Sequence, residues 1–161
     1  MLDRPTAMCT NGRKPDPDFD EDECFYCRID PAWVTNGKVD PTKVRCPDLS
    51  SNRSKYSEPY YVLYPRDKNG RHAVFRFRMR DVPAEIASQG TGGPPTLYGV
   101  RTVHDPIETP PEEDNYGHCE TRVYRGQQQM KPNKLSPGAR KSFQVQLSER
   151  MVLEREAGLP F

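Results

Sequence analysis

The chain has 161 residues, of which only 34% are apolar, against roughly 45–50% in ordinary domains on a slightly wider count. With seventeen Pro, eleven Gly and 29% charged residues it holds material for one modest core, which excludes a large buried catalytic fold of the Rossmann or barrel kind. No apolar run approaches the ~18 residues of a membrane span. The N-terminal MLDRPTAMCTNGRK also lacks the apolar stretch of a secretion signal, so an intracellular, soluble protein is expected.

The formal net charge of +1 hides unlike pieces: −3 over residues 1–50, +5 over 51–104, −5 over 105–116 and +4 over 117–161. A basic centre and C-terminal part beside two acidic stretches suits a nucleic-acid binder, and equally a chain with self-complementary electrostatics.

In chain order, residues 1–57 show almost no periodicity and are punctuated by KPDPDFDEDE, VTNGK, VDPTK and RCPDLSSNRSK. The apolar content there, little more than Phe25, Tyr26, Ile29, Trp33 and Val34, is too small to offset the ordering entropy by burial alone. This half is expected to be a loop-rich module or arm, ordered by a cross-link or a partner. Four of the five cysteines lie in it, Cys9, Cys24, Cys27 and Cys46, with Cys24-Phe-Tyr-Cys27 as a close pair. Zinc favours four thiolate or imidazole ligands, and bound metal would supply folding energy, so these four are the candidate zinc ligands. Free thiols and disulfides are the alternatives. Asp16, Asp18 and Asp20 begin like a calcium loop, but Glu21 and Cys27 occupy the positions that need Gly and Glu.

Residues 58–161 read as a compact domain. Pro59–Tyr64 is aromatic and β-branched, as strands are, and His72–Arg80 alternates with Ala73, Phe75, Phe77 and Met79 on one face. Asn69-Gly70 between them predicts a hairpin. Residues 81–89 read as a short helix capped by Asp81, with Pro83 in its first turn and Gly90 at its end. The Gly-rich run 90–93 follows a helix instead of a strand and reads as a flexible loop rather than a phosphate cradle. Strands are expected at Thr96–His104 and His118–Arg125, flanking an exposed acidic, Pro-rich loop at 105–117. Ser136 caps a C-terminal helix with Pro137 at its first position, an apolar stripe of Ala139, Phe143, Leu147 and Met151, and Gly158-Leu-Pro160 as its stop. Arg140, Lys141 and Ser148, with Glu149 at the edge, fall on its opposite face. The fold class expected is α+β, a small antiparallel sheet of about four strands with this helix across one face.

Alternation along the strands yields one chemical constellation. His72, Arg76, Arg78 and Arg80 share the face opposite the core residues, and His118, Glu120, Arg122 and Tyr124 do so if Cys119, Thr121 and Val123 point inward. If these strands pair, His118, Glu120, His72 and Arg122 become candidates for metal-independent cleavage of RNA, the imidazole or carboxylate moving protons and Arg stabilising phosphorane charge. Arg76, Arg78, Arg80, Arg101, Arg122 and Tyr124 are candidates for binding an anion or nucleic acid, with Tyr124 or Tyr98 stacking on bases. An ordinary solvated face bridged by Glu120 is the plain alternative. His118-Cys-Glu120 is no zinc-deaminase signature, because no Pro-Cys-x-x-Cys follows it. Composition favours a non-enzymatic interaction or structural subunit, zinc-stabilised or ordered by a protein partner within an assembly. The alternative is an RNA-binding or RNA-cleaving protein.

Overall fold

Residues 4–64, 66–67, 69–89 and 92–159 are described by a computed structural model. Cys24–Ile29 alternates partly buried and buried side chains, with Phe25, Cys27 and Ile29 inward; this is strand β1. The other strands are β2 (Val34–Thr35), β3 (Lys38–Val39), β4 (Asp48–Arg53), β5 (Ala73–Arg78), β6 (Glu85–Ser88), β7 (Thr96–His104), β8 (His118–Arg125), β9 (Gln128–Gln129) and β10 (Val152–Arg155). Helix α1 spans Pro137–Arg150. Seven strands form a curled antiparallel half-barrel in the order β10-β5-β1-β4-β8-β7-β6, and β9 pairs with β8. Strands β2 and β3 form a separate ribbon around Asn36-Gly37, both with positive φ.

The core fills the inside of this curl. Phe25, Phe75 and Phe77 from β1 and β5 meet Val123 and Cys119 of β8 and Phe143, Leu147 and Ala139 of α1, all essentially inaccessible to solvent. Ser136 accepts a hydrogen bond from the Ala139 amide at the start of α1, as its Ser-Pro opening implies. Ser148, assigned to the polar face, is instead buried and donates to the Val145 carbonyl.

The expected four-strand sheet is corrected by this topology: a large, mostly β architecture takes its place. Residues 1–57 supply β1 and β4 to the centre of the same sheet that the second half completes. What orders the segment before β1 is a buried polar network. Arg53, fully buried at the end of β4, binds Glu23 through Nε (2.7 Å) and Nη2 (2.9 Å). It also donates to the carbonyls of Asp16 (2.9 Å) and Asp18 (2.5 Å). Asp16 Oδ2 is taken by Lys55 (2.8 Å) and Tyr56 (2.6 Å), so the calcium-loop-like aspartate is used internally.

Two local expectations are also corrected. Pro59–Leu63 is a 3-10 turn, and β5 pairs with β1 and β10 instead of forming a hairpin with it. Proline at the first position of the turn presets a helical φ, and Tyr61 and Leu63 are buried without any ladder. Asn69-Gly70 turns the chain elsewhere: Gly70 has φ +63°, and a Cβ there would lie 2.6 Å from the Leu159 carbonyl oxygen. Residues 81–89 contain no α-helix; a 3-10 turn at Met79–Asp81 leads into β6, which pairs with β7 from Glu85 to Ser88. At the other end, α1 stops at Arg150 and the chain continues as β10, because the free edge of β5 offers ladder partners that a longer helix would forgo. The strands at Thr96–His104 and His118–Arg125 lie where alternation places them. Of the Gly-rich run 90–93, residues 90 and 91 lie outside the described residues, as does Pro160. Among the described residues, no helix is long and apolar enough to cross a membrane.

Candidate functional site

β1 and β4 are neighbours, yet their ladder holds only two pairs, Phe25 with Arg53 and Tyr26 with Asn52. On their other edges β1 stays paired with β5 as far as Ile29, and β4 with β8 back to Asp48. The two strands therefore diverge, and the facing main chain of residues 27–29 and 49–51 has no ladder partner. A cleft of about 620 Å³ opens at this split, within the ~300–1,000 Å³ typical of small-molecule sites.

Its floor carries Arg28 of β1, Ser50 and Asn52 of β4, and His118 and Glu120 of β8. Ser50 lies directly opposite Glu120, and Asn52 opposite His118. One wall is the excursion between β1 and β4, with Trp33, Lys43 and Arg45. Two Asp-Pro turns build it: Asp30 accepts from the Ala32 amide and Asp40 from the Thr42 amide, both at 2.9 Å. Gln144 of α1 fixes this wall by donating to the Val44 carbonyl (2.8 Å). Tyr64, Arg66 and His72 form a second wall, and the acidic loop, with Asp105, Ile107 and Glu113, a third.

Both cleft histidines have Nδ1 anchored. His118 Nδ1 lies 2.6 Å from the Asp105 carbonyl, so it carries the proton and leaves the Nε2 lone pair open. His72 Nδ1 lies 2.8 Å from Asp67 Oδ2. Burial pushes the Asp67 carboxyl up, but the His72 amide and ring and the Arg71 amide outweigh it, holding the group below the ordinary carboxylate range.

The charges of the cleft are unevenly matched. Glu113 pairs with Arg66 at 3.0 Å. Arg122 Nε and Nη2 reach Glu120 Oε2 at 2.8 and 2.7 Å, and Nη2 also reaches Asp105 Oδ2 at 2.5 Å. Burial works against the Arg122 charge, yet these carboxylates hold it above its ordinary pKa, so its donors are committed within the protein. Arg28, partly buried in the floor, has no ion pair or hydrogen bond from its side chain among the described residues. Lys43 and Arg45 likewise form no ion pair among the described residues; Lys43 helps lower the Asp40 carboxyl and Arg45 partly offsets the burial that raises that of Asp48.

Of the residues singled out by sequence, His72, His118 and Glu120 line this one cleft, with Arg122 bound to Glu120 beside it. They do so differently from expectation. β5 and β8 are not neighbours; β1 and β4 lie between them, and the ladders put His118 level with Arg76, four residues along the strand from His72, so the two histidines are separated along the strands as well as across them. His118 and Glu120, two apart on one strand face, are the close pair. The remaining arginines are elsewhere. Arg76 is bound to Glu154 (2.7 Å), Arg78 and Arg80 pair with Asp22, and Arg101 packs on the Tyr124 ring and bonds the Gly126 carbonyl. Tyr98 lies on the core side of β7.

The four candidate zinc ligands are distributed by the strands. Cys24 and Cys27 sit three apart on β1, so they face opposite sides of the sheet; Cys27 is buried with Sγ 3.6 Å from the Ser50 carbonyl, and Cys24 lies beside Arg76. Cys9 follows the 3-10 turn at Thr6–Met8, and Cys46 lies next to Arg140, which donates to its carbonyl (3.2 Å). No group of three or more His, Cys, Asp or Glu placed to hold a metal occurs among the described residues. Cys119 is a core thiol, 3.1 Å from Ser51 Oγ.

Sequence pattern marks neither Arg28, Ser50 nor Asp67 as a site residue, and marks Trp33 only as apolar content of the first half. The signal for Arg28 was present: Phe25, Cys27 and Ile29 alternate, which places Tyr26 and Arg28 on the opposite face of a strand. No family model, curated protein or solved structure matches the chain.

Proposed function

We propose that the cleft between β1 and β4 binds a ribonucleotide unit, with phosphate at Arg28, Lys43 and Arg45 and the base against Trp33 or Tyr64. The observation that carries this reading is Arg28, a partly desolvated cation in a cleft floor with no counter-ion among the described residues. A guanidinium loses hydration there without compensation until an anion arrives, and a phosphate matches its fork of donors. Aromatic rings at the rim favour a planar base on the same ligand. The unit can be a free nucleotide, half of a pyrophosphate-linked dinucleotide or the end of an RNA strand, since all share phosphate, ribose and base.

Trp33 is the single tryptophan of the chain and is 36% exposed at the cleft, so intrinsic fluorescence reports binding there directly. Titrating the full chain with ADP, a pyrophosphate-linked dinucleotide and a short RNA ranks the three sources. Saturable quenching is expected, weakened at least about tenfold by Arg28→Ala, the worth of one charge-assisted contact. The absence of binding by all three, or an affinity indifferent to Arg28→Ala, refutes the reading. Cleavage of the RNA that disappears in His118→Ala would add a reaction to the binding; the anchored Nδ1 leaves Nε2 as the atom that accepts the proton.

A further inference from the structure

We infer that Glu120 reads the ribose hydroxyls of this ligand, so that the cleft prefers ribonucleotides to their 2′-deoxy counterparts; the inference rests on the binding proposed above. Three observations combine. First, Glu120 and Ser50 are direct cross-strand partners, and Arg28 stands across the split from them, two residues beyond the last β1–β4 pair. Phosphate-binding and carboxylate groups thus share one row across the cleft floor. Second, Arg122 occupies Glu120 Oε2 through two nitrogens, while Oε1 has no hydrogen-bond partner among the described residues. Third, the Arg122 clamp fixes the carboxylate in place, so the free oxygen meets a ligand without first losing side-chain entropy.

A carboxylate oxygen accepts hydrogen bonds and offers none. It repels phosphate, so a ligand held by Arg28 must present its donor side, not a second phosphate, to Glu120. In a ribonucleotide the donors nearest the phosphate are the sugar hydroxyls. Removing the 2′-hydroxyl leaves Oε1 desolvated and unmatched, and the loss of a hydrogen bond to a charged group corresponds to roughly ten- to a hundredfold in affinity. Ser50 Oγ, between the two charges, can donate or accept and complements either hydroxyl.

The experiment compares ADP, 2′-deoxy-ADP and inorganic pyrophosphate on the full-length chain, read by Trp33 fluorescence and calorimetry, in the wild type, Glu120→Ala and Glu120→Gln. The wild type should bind ADP roughly ten- to a hundredfold more tightly than 2′-deoxy-ADP. Glu120→Ala should bring the ratio near one while pyrophosphate binding is retained. Glu120→Gln, which keeps an acceptor of the same shape, should give an intermediate ratio. In both variants Arg122 keeps Asp105 and Asp48 as partners, which preserves its site in the fold. Equal wild-type affinities, or a preference that survives Glu120→Ala, overturn this inference and leave the cleft as a phosphate site. Failure of ADP and pyrophosphate alike to bind the wild type overturns the underlying reading as well.

Discussion

Replacing Arg53 by Met tests whether the first half of the chain is held by its buried ion pair. Arg53 has no solvent-accessible surface, and Glu23, its bidentate partner, is 8% exposed. The substitution leaves Glu23 desolvated without a counter-ion and strips donors from the carbonyls of Asp16 and Asp18. Breaking one side of a buried pair costs about 3–5 kcal/mol. In a chain of this length that corresponds to a drop of roughly 6–20 °C in Tm, at ~2–4 °C per kcal/mol. Replacing both partners by apolar residues, Arg53→Met with Glu23→Leu, removes the stranded charge and should recover at least about half of the loss, the two unbonded carbonyls accounting for ~1 kcal/mol each. Urea unfolding of the wild type, both single variants and the double variant closes the cycle. Hydrogen exchange over residues 10–23 should rise most in the Arg53 variant. A single-variant cost below about 1 kcal/mol, or a double variant as unstable as the two losses added, refutes the argument.

The remaining predictions concern pH, thiols and the core. His104 accepts the Asp16 amide at Nδ1 (2.7 Å) and donates from Nε2 to the Tyr116 carbonyl, and burial lowers its pKa, so folding favours the neutral ring. Its contribution to stability is complete above ~6.5 and is lost as pH falls from there toward the lowered folded value, while that of Asp16, whose carboxyl is depressed by Lys55 and Tyr56, is lost below ~4. Denaturant midpoints against pH should show both declines, and His104→Gln should abolish the upper one; a profile unchanged by that variant would sink the assignment. Burial pushes the Cys27 thiol up and that of Cys119 to about 12, so a chromogenic disulfide reagent at neutral pH should spare both in the native protein and find all five cysteines after denaturation. Rapid native labelling of either contradicts the structure. Phe143→Ala, at the centre of the contact between α1 and the curled sheet, should cost ~3–5 kcal/mol by calorimetry or urea melts, and a loss under about 1 kcal/mol would show that the helix does not seal the core.

Local signals in the sequence determined the bounds of β7 and β8, the Ser136-Pro137 start of α1 and the inward set Ala73, Phe75, Phe77, Cys119, Thr121 and Val123. Each is written in a period of two or four, or in a cap, within a few residues of chain. Tertiary structure decided the rest. Pro59–Leu63 and Glu85–Ser88 exchanged their expected states because strand formation depends on a partner edge, which composition cannot name. The weakly apolar first half found its order in ladders to β5 and β8 and in one buried arginine, all long-range contacts. The cleft itself was illegible for the same reason: His118, Glu120 and His72 were visible as residues, but Arg28 joins them only because β1 and β4 pair at two positions and then part. Alternation tells which face a side chain takes, whereas strand order and divergence, set by contacts between residues distant in the chain, tell which faces meet.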